Sequence, residues 1–164
     1  NPWLVGAHFA LSALLIALAS LLVWRHYSPA RVPENTLARV NSVAIVVSGM
    51  LSVVFGIIVT GAGPHAGDAK TPRNGLDLEI WQHYHSYPAY LTAALVAFAL
   101  FLNRKNSLGR NILIALFAVL LAQAAVGIAQ ARLGVPPLLV GIHVTGAAAL
   151  CSLLWFQLFA TKSK

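Results

Sequence analysis

Residues 137–161 read PLLVGIHVTGAAALCSLLWFQLFAT, a run of apolar and small residues without a single Asp, Glu, Lys or Arg. A bilayer span takes roughly 20 such residues as a helix. A helix pairs its own backbone groups, which hydrocarbon cannot do for it. Nothing in the run alternates apolar and polar side chains as a membrane barrel strand does. The stretch therefore predicts a transmembrane helix, with one histidine, His143, inside it.

Four more uncharged runs of that length occur, at about 3–24, 40–60, 80–102 and 111–131. The whole chain agrees with them. Of 164 residues, 59% are hydrophobic and 9% charged, against about 25% charged in a soluble domain. That composition excludes a disordered chain, a solvated nucleic-acid-binding domain and most soluble enzymes. It predicts an all-α membrane protein of five transmembrane helices.

The net charge of +7 is explained by position. Eight of the eleven cations cluster: Arg25, Arg31 and Arg39; Arg104, Lys105 and Arg110; Lys162 and Lys164. These fall in alternate loops. Lys70, Arg73, Arg132 and three of the four acids, Asp68, Asp77 and Glu79, lie on the other side. The positive-inside rule places the clusters, and the C-terminus, in the cytoplasm and the N-terminus outside. Anionic headgroups account for the basic clusters, so no nucleic-acid partner is needed. The single Cys151 excludes an internal disulfide.

The quoted stretch has a twin. Residues 2–15 read PWLVGAHFALSALL and match residues 137–150, PLLVGIHVTGAAAL, at seven of fourteen positions. Pro, Gly and His are in register, as Leu4-Val5-Gly6-Ala7-His8 and Leu139-Val140-Gly141-Ile142-His143. The last span closes a unit of four, so the first is expected to close an earlier unit of four. The expectation is a C-terminal portion, five spans of eight, of two parallel repeats. Residues 1–25 are then the last helix of a preceding pseudo-symmetric bundle. Residues 26–39 form a cytoplasmic basic loop, and residues 40–164 a four-helix bundle.

Ionisable residues inside spans are rare and functional by default. His8, His85 and His143 each lie about six residues below the outer surface, or roughly 9 Å at the helical rise. Imidazoles in one layer without Cys or carboxylate argue against zinc or a di-iron carboxylate site. Two facing imidazoles suit haem iron. Gly146 and Ala147 beside His143, and Pro88 and Ala89 beside His85, are expected to leave a flat slot. His83 lies 200° from His85 on a helix and belongs at the rim, and His26 in a solvated loop. Ser48, Ser52, Gly56 and Thr60 form a small-residue stripe for close helix contact. Gln123, Gly127 and Gln130 share another face and read as cross-helix bonding or a cofactor edge. His65 and Asp68 are candidates for hydrogen bonds within the loop after the second span. Lys70, Arg73 and Arg132 read either as partners for haem propionates or as solvated loop charges.

The chain resembles the haem A synthase family, most like its actinobacterial branch, over its whole length as that family's fourth to eighth spans. The resemblance rests on the loop TGAGPHAGD at 60–68 and on Gln123-xxx-Gly127-Ile128-x-Gln130-xxx-Gly134-Val135-Pro136 followed by Leu139-Val140-xx-His143. It rests also on Asn1-Pro2-Trp3 with His8, and on His85-Ser86-xx-Ala89-Tyr90, where Ser86 stands in place of the family's Arg. It implies that His85 and His143 hold a haem b; from their outer position, Arg73 and Arg132 are the cations expected at its edge. It implies that His8 belongs to the site of the substrate, haem O, whose methyl group becomes the formyl group of haem A. The family's catalytic Glu would lie in the part not contained in this sequence, so the fragment alone is not expected to catalyse. Partners implied are haem O, the plasma-membrane bilayer, haem O synthase and cytochrome oxidase assembly factors, with a homo-oligomer left open. A plain membrane cytochrome b that carries electrons, and a transporter or assembly protein without haem, are the other readings of the same histidines.

Overall fold

The computed structural model describes residues 1–27, 36–64, 72–102 and 107–161. They form five helices: α1 Pro2–Tyr27, α2 Thr36–Ala62, α3 Leu78–Leu102, α4 Ser107–Arg132 and α5 Pro137–Phe159. All five are long and apolar enough to cross a membrane, and no strand occurs among the described residues. The chain is a multi-pass, all-α membrane protein. α2 starts four residues before the expected span, so the helix takes up Thr36 to Arg39 from the stretch read as loop.

The helix ends follow capping chemistry. Asn1 Oδ1 accepts the Trp3 N–H at 2.9 Å, and Asp77 Oδ1 accepts the Ile80 N–H at 2.9 Å. Each satisfies a donor that the first turn leaves unpaired. At the far end of α2, Asn74 folds back. Its side-chain amide donates to the Ile58 carbonyl at 2.9 Å and its backbone N–H to the Gly61 carbonyl at 3.0 Å.

Packing makes two hairpins, α2–α3 and α4–α5, joined through α2 against α5 and α3 against α4. This closes a four-helix bundle in which α3 and α5 lie diagonally. α1 packs outside it, along α5 and α2. The core cluster is Ile45, Val96, Ala99, Leu113, Leu116, Leu120, Leu150 and Leu154. It fills the half of the bundle away from His85 and His143. Gly49 lets α2 approach α5 there, since a Cβ would lie 2.7 Å from Leu154.

Buried polar groups tie the same half together. Gln157 Nε2 donates to the Ser42 carbonyl at 2.9 Å, while the Ser42 hydroxyl donates to Gln157 Oε1. Asn41 Nδ2 donates to the Leu95 carbonyl at 3.1 Å. Thr92 Oγ1 lies 2.9 Å from Ser48 Oγ. Each pair is satisfied, which a buried polar group in this setting requires.

The outer surface is apolar. Leu4, Leu15, Leu22, Tyr90 and Leu138 are among many large side chains left exposed. In a soluble protein such a surface would aggregate; against lipid it is the solvated face.

Candidate haem-ligand site

α3 and α5 face each other across the diagonal, and each presents one histidine inward. The His85 and His143 ring centroids are 6.1 Å apart, with ring planes at 77°. An imidazole–metal bond of about 2.0–2.1 Å, added to about 1.1 Å from nitrogen to ring centre, puts two rings on one metal about 6.2 Å apart. The observed centroid spacing is within about 0.3 Å of that length.

His85 is fixed by the neighbouring helix of its hairpin. Its Nδ1 lies 2.8 Å from the Ser52 carbonyl oxygen. A carbonyl only accepts, so Nδ1 carries the proton and Nε2 keeps its lone pair. The Ser52 hydroxyl donates in turn to the His85 carbonyl at 3.0 Å. One turn on, Gly56 makes room for the ring, since a Cβ there would sit 3.0 Å from Cε1 and 3.1 Å from Nδ1.

His143 is seated by a similar arrangement on the other hairpin. Gln123 Nε2 donates to the His143 carbonyl at 2.8 Å. Gly127, four residues after Gln123 as Gly56 is after Ser52, would bring a Cβ 3.6 Å from the His143 Cε1. The small-residue stripe of α2 and the Gln–Gly face of α4 are therefore the seats of the two histidines. The His143 Nδ1 is buried and has no hydrogen-bond partner.

The hairpin turns set this register. Gly134 and Val135 are both left-handed, at φ 71° and 58°. The Val135 N–H closes the end of α4 by donating to the Gln130 carbonyl at 2.8 Å. A β-branched residue in that region costs of order 1–3 kcal/mol. The tight return places Pro136 and Pro137 at the start of α5. In α3, Pro88 lies one turn beyond His85 and lacks the N–H that would bond the Tyr84 carbonyl.

The other candidate groups lie apart from the pair. His8 is exposed, and its ring contacts Phe9 at 5.8 Å. Among the described residues, no three His, Cys, Asp or Glu side chains gather as a metal site. His83 is exposed and stacks on Tyr87 at 6.3 Å. Arg132 is exposed at the end of α4. Arg73 is half-buried; its Nη2 donates to the Pro64 carbonyl and its buried Nη1 has no partner. Lys70, His65 and Asp68 lie outside the described residues, as do Arg31, Glu34, Arg104, Lys105, Lys162 and Lys164. Gly146 does not leave an open slot beside His143: the Gln123 amide lies across it, with a Cβ there 2.8 Å from Gln123 Cδ. The long amide needs that space to reach the His143 carbonyl.

The residues present fit a metalloporphyrin, which His85 and His143 would hold. One imidazole has a free Nε2 and a second hydrogen bond of the kind that orients metal-bound histidines. The other has an orphaned nitrogen in an apolar layer. A groove of about 530 Å³ lined by Leu100, Phe101, Arg110 and Ile114 lies at the opposite end and contains neither histidine. Comparison of the chain with protein-family models, with curated proteins and with solved structures finds no match.

Proposed function

We infer that the bundle α2–α5 holds a haem b between His85 and His143, and that the protein acts in haem A synthesis, oxidising the methyl group of haem O to the formyl group of haem A. The observation that carries this reading is the facing pair of imidazoles on diagonal helices at 6.1 Å, with Nε2 of His85 free. Bound there, a haem supplies reversible one-electron transfer. The protein's own part is to present two neutral nitrogens, to keep water from them by the surrounding helices, and to offer a cation at one end of the bundle. Arg73, with an unpaired Nη1, suits a propionate carboxylate; Arg132 is the second candidate.

The twin motif supports the enzymatic reading over a bare electron carrier. His8 repeats the setting of His143 in sequence but turns out of this bundle. In this reading it belongs to the haem O site, in the preceding bundle that α1 would close. The charge pattern supports a plasma-membrane orientation with the His85–His143 layer near the outer face. Haem O synthase and cytochrome oxidase assembly factors are the partners of this reading.

A membrane cytochrome b remains the second reading. It is favoured by the absence, among the described residues, of any further His, Cys, Asp or Glu grouped with the pair. Reduced-minus-oxidised spectra of the detergent-solubilised protein test the common premise; a low-spin haem b signal is expected, and its absence removes both. Adding haem O to membranes that carry the chain together with the preceding bundle of this reading then separates them. Haem A in the extract supports the synthase, and haem b without conversion leaves the electron carrier.

A further inference from the structure

The two histidines share a seat but not a lock. Both have their main-chain carbonyl held by a polar side chain of the adjacent helix, at 3.0 Å from Ser52 and 2.8 Å from Gln123. Both lie against a glycine one turn further on. Only His85 also has its ring nitrogen bonded, to the Ser52 carbonyl at 2.8 Å. Only His85 is pressed by its glycine backbone closely enough that a Cβ would fall within 3.1 Å of two ring atoms. The His143 ring has ordinary clearance from Gly127 and an unbonded Nδ1.

The geometry points to an unequal pair: the Ser52 carbonyl and Gly56 lock His85 in the Nδ1–H tautomer, while His143 is the exchangeable side. A hydrogen bond at the far nitrogen raises ligand basicity and fixes ring orientation, and losing one costs about 10–100-fold in metal affinity. A ring whose far nitrogen lacks that bond is less firmly oriented about its side-chain torsions. His85 thus holds a metal after His143 has let go. External ligands such as carbon monoxide or imidazole enter on the His143 side. This rests on the haem reading for its ligand, though not for the lock itself.

Two measurements on the intact protein test it. The first uses the apoprotein with 15N-labelled histidine. NMR is expected to show His85 as a single Nδ1–H tautomer and His143 as a mixture. Finding His85 mixed, or protonated at Nε2, overturns the proposal. The second compares His143→Ala with His85→Ala by titration with iron protoporphyrin IX. His143→Ala is expected to keep a five-coordinate haem at least about 10-fold more tightly than His85→Ala. Equal affinities, or the reverse order, overturn it. A wild-type protein that takes up no haem removes the functional reading, and the NMR result alone then decides the lock.

Discussion

α1 and α5 open with the same motif and turn opposite faces to the bundle. In α1, Gly6 faces inward, where a Cβ would meet Ile57 at 3.2 Å, and His8 faces out. In α5, Gly141 has nothing within 4 Å, and His143 faces His85. The contrast continues down both helices. Leu15 is 64% exposed, while its twin Leu150 is 7% exposed. Leu22 is 67% exposed, while the matching Gln157 is 2% exposed and bonded to Ser42. Glycine and histidine two residues apart lie about 200° apart on a helix, so one motif carries two contact faces. What sets the α5 copy apart is the neighbouring α4, whose Gln123 and Gly127 lie against the histidine face.

The sharpest way to break this comparison is to remove the histidines. Replacing His85 and His143 together by Leu is expected to abolish the haem b spectrum, while His8→Leu leaves its amplitude unchanged in this chain. An equal loss in His8→Leu would make the two helices equivalent after all. Next in size is Gly56→Val. Its side chain drives the His85 ring off the Ser52 carbonyl, and haem affinity is expected to fall at least about 10-fold, with helical content retained by circular dichroism.

Two smaller effects sharpen the contrast. Gln157→Leu gives α5 the residue α1 has at the matching place. It strips the Ser42 hydroxyl of its buried acceptor, at about 1–3 kcal/mol, read as a lowered melting temperature in detergent. Gly6→Val crowds Ile57 and is expected to cost about 1–3 kcal/mol. Gly141→Val, on the open side of α5, is expected to stay within about 0.5 kcal/mol. If the two glycine variants melt alike, the opposite-face assignment fails.

Much of this was readable from the residues because the bilayer imposes so few choices. Uncharged runs give the spans, and the helix ends differ from them by only a few residues. His85 and His143 stand out because an ionisable group in hydrocarbon needs a reason. What the sequence hid was which neighbour serves which histidine. Ser52 and Gly56 read as packing, and Gln123 as a cross-helix bond, because spacing on one helix does not say what lies on the next. Gly146 looked like open space for the same reason; a side chain from α4 fills it. Likewise, matched depth grouped His8 with the other two, but depth leaves rotation about the helix axis unspecified.

The apolar cluster around Ile45, Val96 and Leu154, with its bonded Ser42–Gln157 pair, occupies the half of the bundle that the histidines do not. The lower half works as a keel that holds the four helices together. In the haem reading, assembly and loading would then be divided along the helix axis, with the upper half left to receive its cargo. Damage at the imidazoles should yield an empty vessel, whereas damage at the keel should yield none.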